Sequence, residues 1–378
     1  MGEPNLPAVI FALAAAALAC LALLFFWIAA IRRLGRPPKL SRLQHNPVLR
    51  PVLEHWWESE AVFNPAAIYH DGRVHLFYRA LGKDGVSRVG YASSYDGIHF
   101  DERLSYPIFD RGAGFSPVKA KLSYETLTYN QDLYASGGGW GGVEDPRAVK
   151  IDDRIYMTFE IFEHWQSLRL AITSLSHIDL DSRKFNWTPH ITMSPKGQTN
   201  KNWVFFPEKI NDKFAIIHAL TPRIMIEYVD SLEQLQDNPI QSNNHRSGRP
   251  GKWDAFIRGA GAPPIKTEYG WLLLYHGMNP ESGAGYNVGA MLLDLHDPTK
   301  ILYQSEEPIL KPEEWYENEW KAGVVYASGA VVVGPDLFVY YGGGDKYVAA
   351  ARTNLRDFLR KLTHHQHAVL TPVKGDTF

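Results

Sequence analysis

The feature that most constrains the fold is a recurring strand–turn–strand unit. Each copy begins at a polar residue next to Pro or Gly, continues as an apolar strand, turns at a pair such as Asp71-Gly72, and ends in an aromatic-rich strand. Repeated antiparallel hairpins of this kind are typical of propellers. We therefore predict an all-β chain folded as a five-bladed β-propeller, with a β-sandwich as the alternative. The copies span residues 64–78, 144–159, 207–217, 263–275 and 328–341.

The composition agrees with a folded domain and excludes one large class of partner. Hydrophobic residues make up 45% and charged residues 21% of the 378 positions, so a packed core is feasible. The net charge is −2, and no basic block occurs beyond the N-terminal region, which leaves no electrostatic footprint for nucleic acid. Because the chain contains no zinc spacing, Walker loop or dinucleotide fingerprint, we expect no organic cofactor and no metal.

The N-terminal region predicts a membrane anchor. Residues Ala8–Ile31 form an almost unbroken apolar run, long enough to cross a bilayer as one helix. Basic residues follow it directly, beginning with Arg32 and Arg33, so the positive-inside rule places the rest of the chain in the cytoplasm. We therefore predict a single-pass membrane protein with one N-terminal transmembrane helix, an anchor with its basic flank at 1–39, and a propeller domain at 40–378.

A short acidic motif is the strongest candidate for chemistry. Polar residues at the starts of the innermost strands of a propeller converge on a central funnel, and Glu144-Asp145-Pro146-Arg147 occupies such a start. Pro146 is expected to hold Asp145 extended. Arg147 shares one face of the strand with Asp145. Its guanidinium would orient a carboxylate or bind an anionic ligand.

Further motifs occur in order along nearly the whole chain. They are Phe63–Ala67, Tyr78–Ala80, Gly142–Arg147, Lys201–Asn202, Phe206–Lys209, Gly259–Ile265, Tyr275–Gly277, Leu292–Leu295, Asp297–Pro298 and Tyr340–Asp345. Together these motifs resemble those of glycoside hydrolase family 130. The resemblance implies a five-bladed propeller that cleaves β-linked mannosides with inversion at the anomeric carbon. The implied substrate is a β-linked manno-oligosaccharide or another mannosyl conjugate.

The resemblance also implies roles for individual residues. The Asp of the Glu-Asp-Pro-Arg motif is the family's proton donor, which corresponds to Asp145. We expect its pKa to be high enough in the complex to keep it protonated. The implied sugar-binding residues are Asn64, Arg79 and Asp345, with Arg147, Lys201 and His276 facing the sugar or an anion, and Tyr341 from the last motif completes the substrate-binding candidates. We expect Asn64, Arg79, Asp145, Glu208, His276 and Asp345 to line one funnel.

Two departures from the family pattern favour hydrolysis. His218-Ala219 stands where the family's phosphorylases commonly read His-Arg, and Glu160 begins a stretch where a basic or amide phosphate ligand is expected. Phosphate requires several charge-assisted donors, whereas Glu208 or Glu160 could activate a water as general base. The alternative is a phosphorylase that uses inorganic phosphate as co-substrate and releases mannose 1-phosphate. An alternative of another class is a non-catalytic sugar-binding propeller.

Overall fold

The computed structural model describes residues 14–16, 18–27, 37–110, 141–164, 167–282 and 285–364, and most of these lie in β-strands. The α-helices of this part are short, at His177–Asp181, Gln234–Asp237 and Leu355–His364, and residues 14–16 and 18–27 are also helical. The strands, in chain order, are β1 (Ser41–Arg42), β2 (Ala61–His70), β3 (Arg73–Leu81), β4 (Val86–Ser94), β5 (Glu102–Arg103), β6 (Gly141–Ile151), β7 (Arg154–His164), β8 (Ser167–Ser176), β9 (Ile191–Thr192), β10 (Val204–Phe205), β11 (Phe214–Ala219), β12 (Met225–Val229), β13 (Phe256–Ala260), β14 (Ile265–Thr267), β15 (Gly270–Met278), β16 (Asn287–Leu293), β17 (Ile301–Gln304), β18 (Val325–Val333), β19 (Asp336–Gly343) and β20 (Tyr347–Asn354).

The first hairpin shows how the repeated sequence unit folds. Strands β2 and β3 pair antiparallel, and the last pair of the register joins His70 to Arg73. Between them Asp71 and Gly72 form a two-residue turn with φ of 47° and 71°. Positive φ at both central residues is the hairpin geometry whose twist matches that of the strands, and Asp-Gly adopts it readily. The Asp-Gly pair in the sequence therefore defines the turn.

The strands assemble into four sheets in the part of the chain that the structure describes. One sheet has the order β1-β20-β19-β18, a second has β10-β11-β12, and a third has β13-β15-β16-β17 with β14 beside β15. The fourth is an eight-stranded sheet, β2-β3-β4-β6-β7-β8-β9, with β5 beside β4. Four of the five predicted hairpins appear as neighbouring antiparallel strands within these sheets. In the copy at 207–217 only the second strand, β11, forms, and it pairs with β10, which ends before the copy begins.

The prediction of a five-bladed propeller is wrong. The described residues form four sheets rather than five, and none of these sheets closes on itself. The difference arises where β4 and β6 pair in parallel, Val86 with Gly141 and Ser87 with Gly142, and so merge two predicted units into one sheet. A side chain at Gly142 would lie 2.2 Å from the carbonyl oxygen of Ser87, and Gly142 has φ of 101°. Only glycine accommodates this approach of the two backbones.

The predicted transmembrane helix is also corrected. Among the described residues no helix has the length and apolar character that a membrane span requires. The remainder of the predicted segment Ala8–Ile31, at residues 8–13, 17 and 28–31, lies outside the described residues. The predicted cytoplasmic location stays a prediction.

Buried acidic clusters tie strands together in three of the repeated units. In each cluster a fully buried carboxylate accepts a hydrogen bond from a buried tyrosine and forms an ion pair with an arginine. Removing one partner would take a hydrogen bond from a buried charged acceptor, at about 1–3 kcal/mol. The clusters are Glu58 with Tyr78 (2.8 Å) and Arg103 (2.6 Å), Asp254 with Tyr275 (2.6 Å) and Arg249 (2.9 Å), and Glu317 with Tyr341 (2.8 Å) and Arg42 (2.8 Å).

Candidate active site

Two strand bulges bring the first pair of site residues together. The register of β2 against β3 shifts between Phe63 and Ala66, and that of β6 against β7 shifts between Glu144 and Arg147. At the two bulges Asn64 and Asp145 both have φ of 47°. Asn and Asp are the non-glycine residues that enter this left-handed region most readily.

The geometry at Asp145 differs from the extended conformation predicted from the following proline. The bulge overrides the conformational preference that Pro146 imposes on Asp145. As a result, the side chain of Asp145 points toward Asn64. Asn64 Nδ2 donates to Asp145 Oδ1 at 2.8 Å. The same local device in two neighbouring strands thus assembles an amide–carboxylate pair.

Arg79 clamps two adjacent carboxylates. Its Nη1 lies 3.1 Å from Asp145 Oδ1, its Nη2 lies 2.7 Å from Glu144 Oε1, and its Nε donates to Ser87 Oγ at 3.0 Å. The guanidinium also lies 4.7 Å from the ring centre of Phe63. A planar guanidinium is suited to this forked arrangement, whereas a lysine ammonium is not.

The two carboxylates differ in pKa. Burial favours the neutral acid in both, and in Glu144 it prevails over Arg79 and Lys201, raising the pKa to about 7. At Asp145 burial acts in the same direction, but the charges of Arg79, Lys201 and Arg147 outweigh it and hold the pKa below its usual value. Asp145 is therefore ionised at neutral pH in the free protein. The mechanism predicted from the sequence requires Asp145 to be protonated in the complex, and this requires the bound ligands to raise its pKa.

Arg147 is occupied by the protein itself. It donates to the backbone oxygens of Asp145 (2.9 Å) and Gly261 (2.8 Å), and to the side chains of Asn202 (3.0 Å) and Tyr326 (2.9 Å). The Tyr326 hydroxyl donates to Asn202 Oδ1 in turn. Asn202 is another left-handed residue, with φ of 65°. Arg147 thus positions neighbouring side chains rather than facing a ligand.

Lys201 is a partly buried cation held by Glu160. Lys201 Nζ lies 3.0 Å from Glu160 Oε2, and Glu160 Oε1 accepts from the backbone N–H of Asn202 at 3.1 Å. Burial alone would lower the pKa of Lys201, but Glu160, Asp145 and Glu144 raise it above its usual value. Lys201 therefore stays charged, and Glu160 serves as its partner.

These residues surround one pocket, which we call the catalytic pocket. It holds the carboxylates of Asp145 and Asp345, the amides of Asn64 and Asn202, and the ammonium of Lys201. Asp345 has φ of 54°, and its Oδ2 lies 3.1 Å from Lys321 Nζ. Such a set can bind sugar hydroxyls and place an acid and a cation beside a reacting bond. The remaining lining residues are Arg258, Tyr286, Lys321, Val324 and Tyr326.

Six predicted site residues do not line the catalytic pocket. Arg79 and Arg147 are buried against side chains that do line it, and the other four are Glu208, Glu160, Tyr341 and His276. Glu208 is partly exposed on the surface and forms an ion pair with Lys266 at 2.5 Å. Glu160 is fully buried behind Lys201, and Tyr341 belongs to the buried Glu317 cluster. His276 is buried below the catalytic pocket and stacks on Tyr326, with ring centres 4.1 Å apart. Burial lowers the pKa of His276 to about 3, so the ring is neutral.

The sequence prediction missed several residues of the catalytic pocket. Asn202 follows the predicted residue Lys201. The ease with which Asn adopts positive φ is the sequence signal that could have identified it. Tyr326 lies near the start of β18, beside a bulge between Ala327 and Gly329. It lies two residues before the fifth copy of the repeat, near the position that Asn64 has at the start of the first copy, and this placement could have identified it. No comparable pattern marks Lys321, Tyr286 or Arg258, which lie outside the repeated motifs.

No group of three or more His, Cys, Asp or Glu residues among those described is arranged to hold a metal ion. The polar side chains of the catalytic pocket instead pair with one another, acidic groups with basic or amide groups. The chemistry available there is proton transfer and binding of hydroxyl groups and anions.

Comparison with known proteins identifies relatives of the chain. The model of glycoside hydrolase family 130, described as beta-1,4-mannooligosaccharide phosphorylase, matches residues 31–364. A 1,2-beta-oligomannan phosphorylase of Thermoanaerobacter sp. (strain X514) is 38% identical over 331 residues, covering 84% of this chain and 98% of the relative. A beta-1,2-mannobiose phosphorylase of the same organism is 36% identical over 329 residues, covering 83% and 96%.

Solved structures agree with this relationship. The beta-1,2-mannobiose phosphorylase from Listeria innocua, in complex with beta-1,2-mannobiose, is 25% identical with a TM-score of 0.64, covering 85% of this chain and 99% of that one. A structure reported with glycoside hydrolases of the same family that target beta-1,2 mannosidic linkages in Candida mannan is 26% identical, with a TM-score of 0.67, and covers 85% of this chain and 95% of that one. The chain belongs to glycoside hydrolase family 130, an enzyme family that acts on mannosides.

Proposed function

We propose that the protein is an inverting phosphorylase that cleaves β-1,2-mannosidic linkages with inorganic phosphate and releases mannose 1-phosphate. The observation that carries this proposal is the catalytic pocket, which Asp145 and the partly buried cation Lys201 both line. Relatives that align over most of their length are named as phosphorylases of β-1,2-linked mannosides. Neither of these two relatives is named as a hydrolase, so they lend no support to the sequence-based preference for hydrolysis.

The carboxylates of the pocket also favour phosphate over water. Inverting hydrolysis needs a second carboxylate to activate water. Glu208 lies at the surface beside Lys266, and Glu160 is committed to Lys201. The remaining pocket carboxylate, Asp345, is paired with Lys321. A phosphate dianion is already a nucleophile and needs no such base, whereas it does need a cation such as Lys201.

In the proposed reaction Asp145 carries the proton for the leaving oxygen. Phosphate enters as H₂PO₄⁻, which gives one proton to the Asp145 carboxylate and becomes the HPO₄²⁻ dianion; like-charge repulsion from this dianion raises the pKa of Asp145, so the carboxyl keeps the proton. A phosphate oxygen then bonds to the anomeric carbon from the face opposite the leaving group. The bond from this carbon to the leaving oxygen breaks with its electron pair. That oxygen takes the proton from Asp145, directly or through a sugar hydroxyl.

The test is to incubate the protein with β-1,2-mannobiose with and without inorganic phosphate, and to measure mannose 1-phosphate. We expect mannose 1-phosphate to form only with phosphate, and Asp145→Asn to reduce turnover at least about 100-fold. Glu208→Gln is the matched control, because it removes a surface carboxylate and should leave turnover unchanged. Free mannose produced at the same rate without phosphate would show a hydrolase, and no cleavage of β-1,2- or β-1,4-mannobiose would favour a non-catalytic sugar-binding protein.

A further inference from the structure

Aromatic rings begin directly beside the catalytic pocket and continue onto the surface. Trp320 precedes the pocket residue Lys321, and Tyr347 lies two residues after the pocket residue Asp345. The ring centre of Tyr347 is 5.5 Å from that of Trp315, at an interplanar angle of 71°. We call Trp320, Tyr347 and Trp315 the aromatic strip. Its members belong to two segments that also line the catalytic pocket, so the strip extends the pocket outward.

Lys346 connects the inner and outer parts of the aromatic strip. Its ammonium lies 5.9 Å from the ring centre of Trp320 and 5.5 Å from that of Tyr347. Lys346 also forms an ion pair with Glu319 at 2.9 Å, and the Tyr347 hydroxyl donates to the other oxygen of this carboxylate at 2.8 Å. Aromatic faces beside charged hydrogen-bonding groups suit sugars, because the rings contact C–H faces while the polar groups bind hydroxyls.

Trp315 is exposed to solvent although its backbone is held firmly. The residue is 51% exposed, and the Arg50 guanidinium lies 5.4 Å from its ring centre. The turn that carries Trp315 is tied on both sides of Glu317. The Glu314 N–H donates to Glu317 Oε2 at 2.8 Å, and the Val324 N–H donates to the Glu317 carbonyl at 3.2 Å. A large ring that a fixed backbone keeps in solvent indicates a contact surface.

The proposed reaction decides which part of a substrate reaches the aromatic strip. In inverting cleavage phosphate attacks one face of the sugar ring, and the leaving oxygen, which takes its proton from Asp145, departs from the other. Asp145 accepts a hydrogen bond from Asn64, which follows Phe63 in β2, and Trp320 packs against the apolar cluster that contains Phe63. The aromatic strip therefore adjoins the Asp145 side of the pocket, where the leaving sugar lies.

We propose that the aromatic strip is a subsite for the leaving part of a β-1,2-linked oligomannoside, beyond its first mannosyl unit. This rests on the proposed phosphorolysis. Trp320 lies next to the catalytic pocket and Trp315 lies at the outer end of the strip, so Trp315 contacts only substrates longer than the disaccharide. The enzyme therefore prefers longer β-1,2-oligomannosides to β-1,2-mannobiose.

Kinetics on substrates of two lengths test this preference. With inorganic phosphate present, we expect a KM for β-1,2-mannotetraose about tenfold lower than that for β-1,2-mannobiose, because stacking on an aromatic ring adds binding energy. In Trp315→Ala the KM for the tetraose should rise toward that for mannobiose. Tyr95→Ala is the matched control and should preserve the wild-type difference. Tyr95 is 67% exposed and also lies under an arginine, Arg73, but it follows the end of β4 that is far from Ser87 and the pocket.

Binding to Asp145→Asn protein, measured by calorimetry, separates the subsite from the reaction itself. Tighter binding of mannotetraose than of mannobiose, lost on adding Trp315→Ala, supports the subsite even if the wild-type enzyme forms no mannose 1-phosphate. Equal KM values and equal binding of the two substrates without the Trp315 substitution would overturn the proposal. It would also be overturned if Trp315→Ala weakened both substrates equally, or if the preference for the tetraose survived this substitution.

Discussion

The buried proton on Glu144 makes a quantitative prediction about stability. The pKa of Glu144 rises from 4.5 to about 7 on folding, because burial favours the neutral acid. Between these pH values the folded state holds a proton that the unfolded chain has released, so this group's contribution is fully present below pH 4.5 and is lost as pH rises through 7. At about 1.4 kcal/mol per pH unit, the loss amounts to about 3 kcal/mol.

Glu144→Gln removes this titration and keeps an oxygen that can accept from Arg79. We expect the free energy of unfolding of the variant, relative to wild type, to increase by about 2–3 kcal/mol between pH 5 and pH 8. Denaturant unfolding at several pH values measures this difference in the free energy of unfolding. The prediction concerns how the difference changes with pH, not its absolute value. Glu208→Gln, which removes an exposed carboxylate, should follow the wild-type profile. Parallel profiles for wild type and Glu144→Gln would refute the buried proton.

Three further variants test the architecture around the site. In Gly342→Ala the new methyl group would lie 2.1 Å from Asn64 Oδ1, so displacement of Asn64 should lower kcat about 100-fold, as measured by initial rates. In Arg79→Lys the single ammonium cannot bridge two carboxylates, and kcat/KM should fall by a similar factor. Tyr341→Phe should reduce the free energy of unfolding by about 1–3 kcal/mol with turnover retained, because Glu317 loses a hydrogen bond.

The repeated hairpins were readable from the sequence because their signals are local. A pair such as Asp71-Gly72 prefers the turn it forms, and alternation of side chains follows from strand geometry. How neighbouring hairpins pair is not a local property. The parallel contact of Val86–Ser87 with Gly141–Gly142 joins residues far apart in sequence, and neither segment contains a pattern that predicts it. The five-unit pattern therefore predicted four of the five hairpins correctly and their assembly into a propeller incorrectly.

The site residues also fall into those that local sequence motifs predicted and those that they did not. Asn64, Arg79, Asp145 and Asp345 lie in family motifs, and the structure places them around or against one pocket. The predicted bases fail for a physical reason, because a carboxylate's role depends on its neighbours. Glu208, at the surface, pairs with a lysine that sequence spacing could not associate with it. Lys321 and Tyr286 enter the pocket from segments between repeats, where no periodic pattern applies.

The left-handed backbone at the site limits how this enzyme can be engineered. Asn64, Asp145, Asn202 and Asp345 all have φ between 47° and 65°. Most other L-residues lose about 1–2 kcal/mol there, whereas Asn, Asp and Gly are tolerated. A saturation library at these positions would therefore return mostly misfolded or inactive clones, whatever sugar is selected for. A library that selects for new acceptors should instead vary residues that line the catalytic pocket and have ordinary backbone conformations, such as Tyr286, Lys321 and Tyr326.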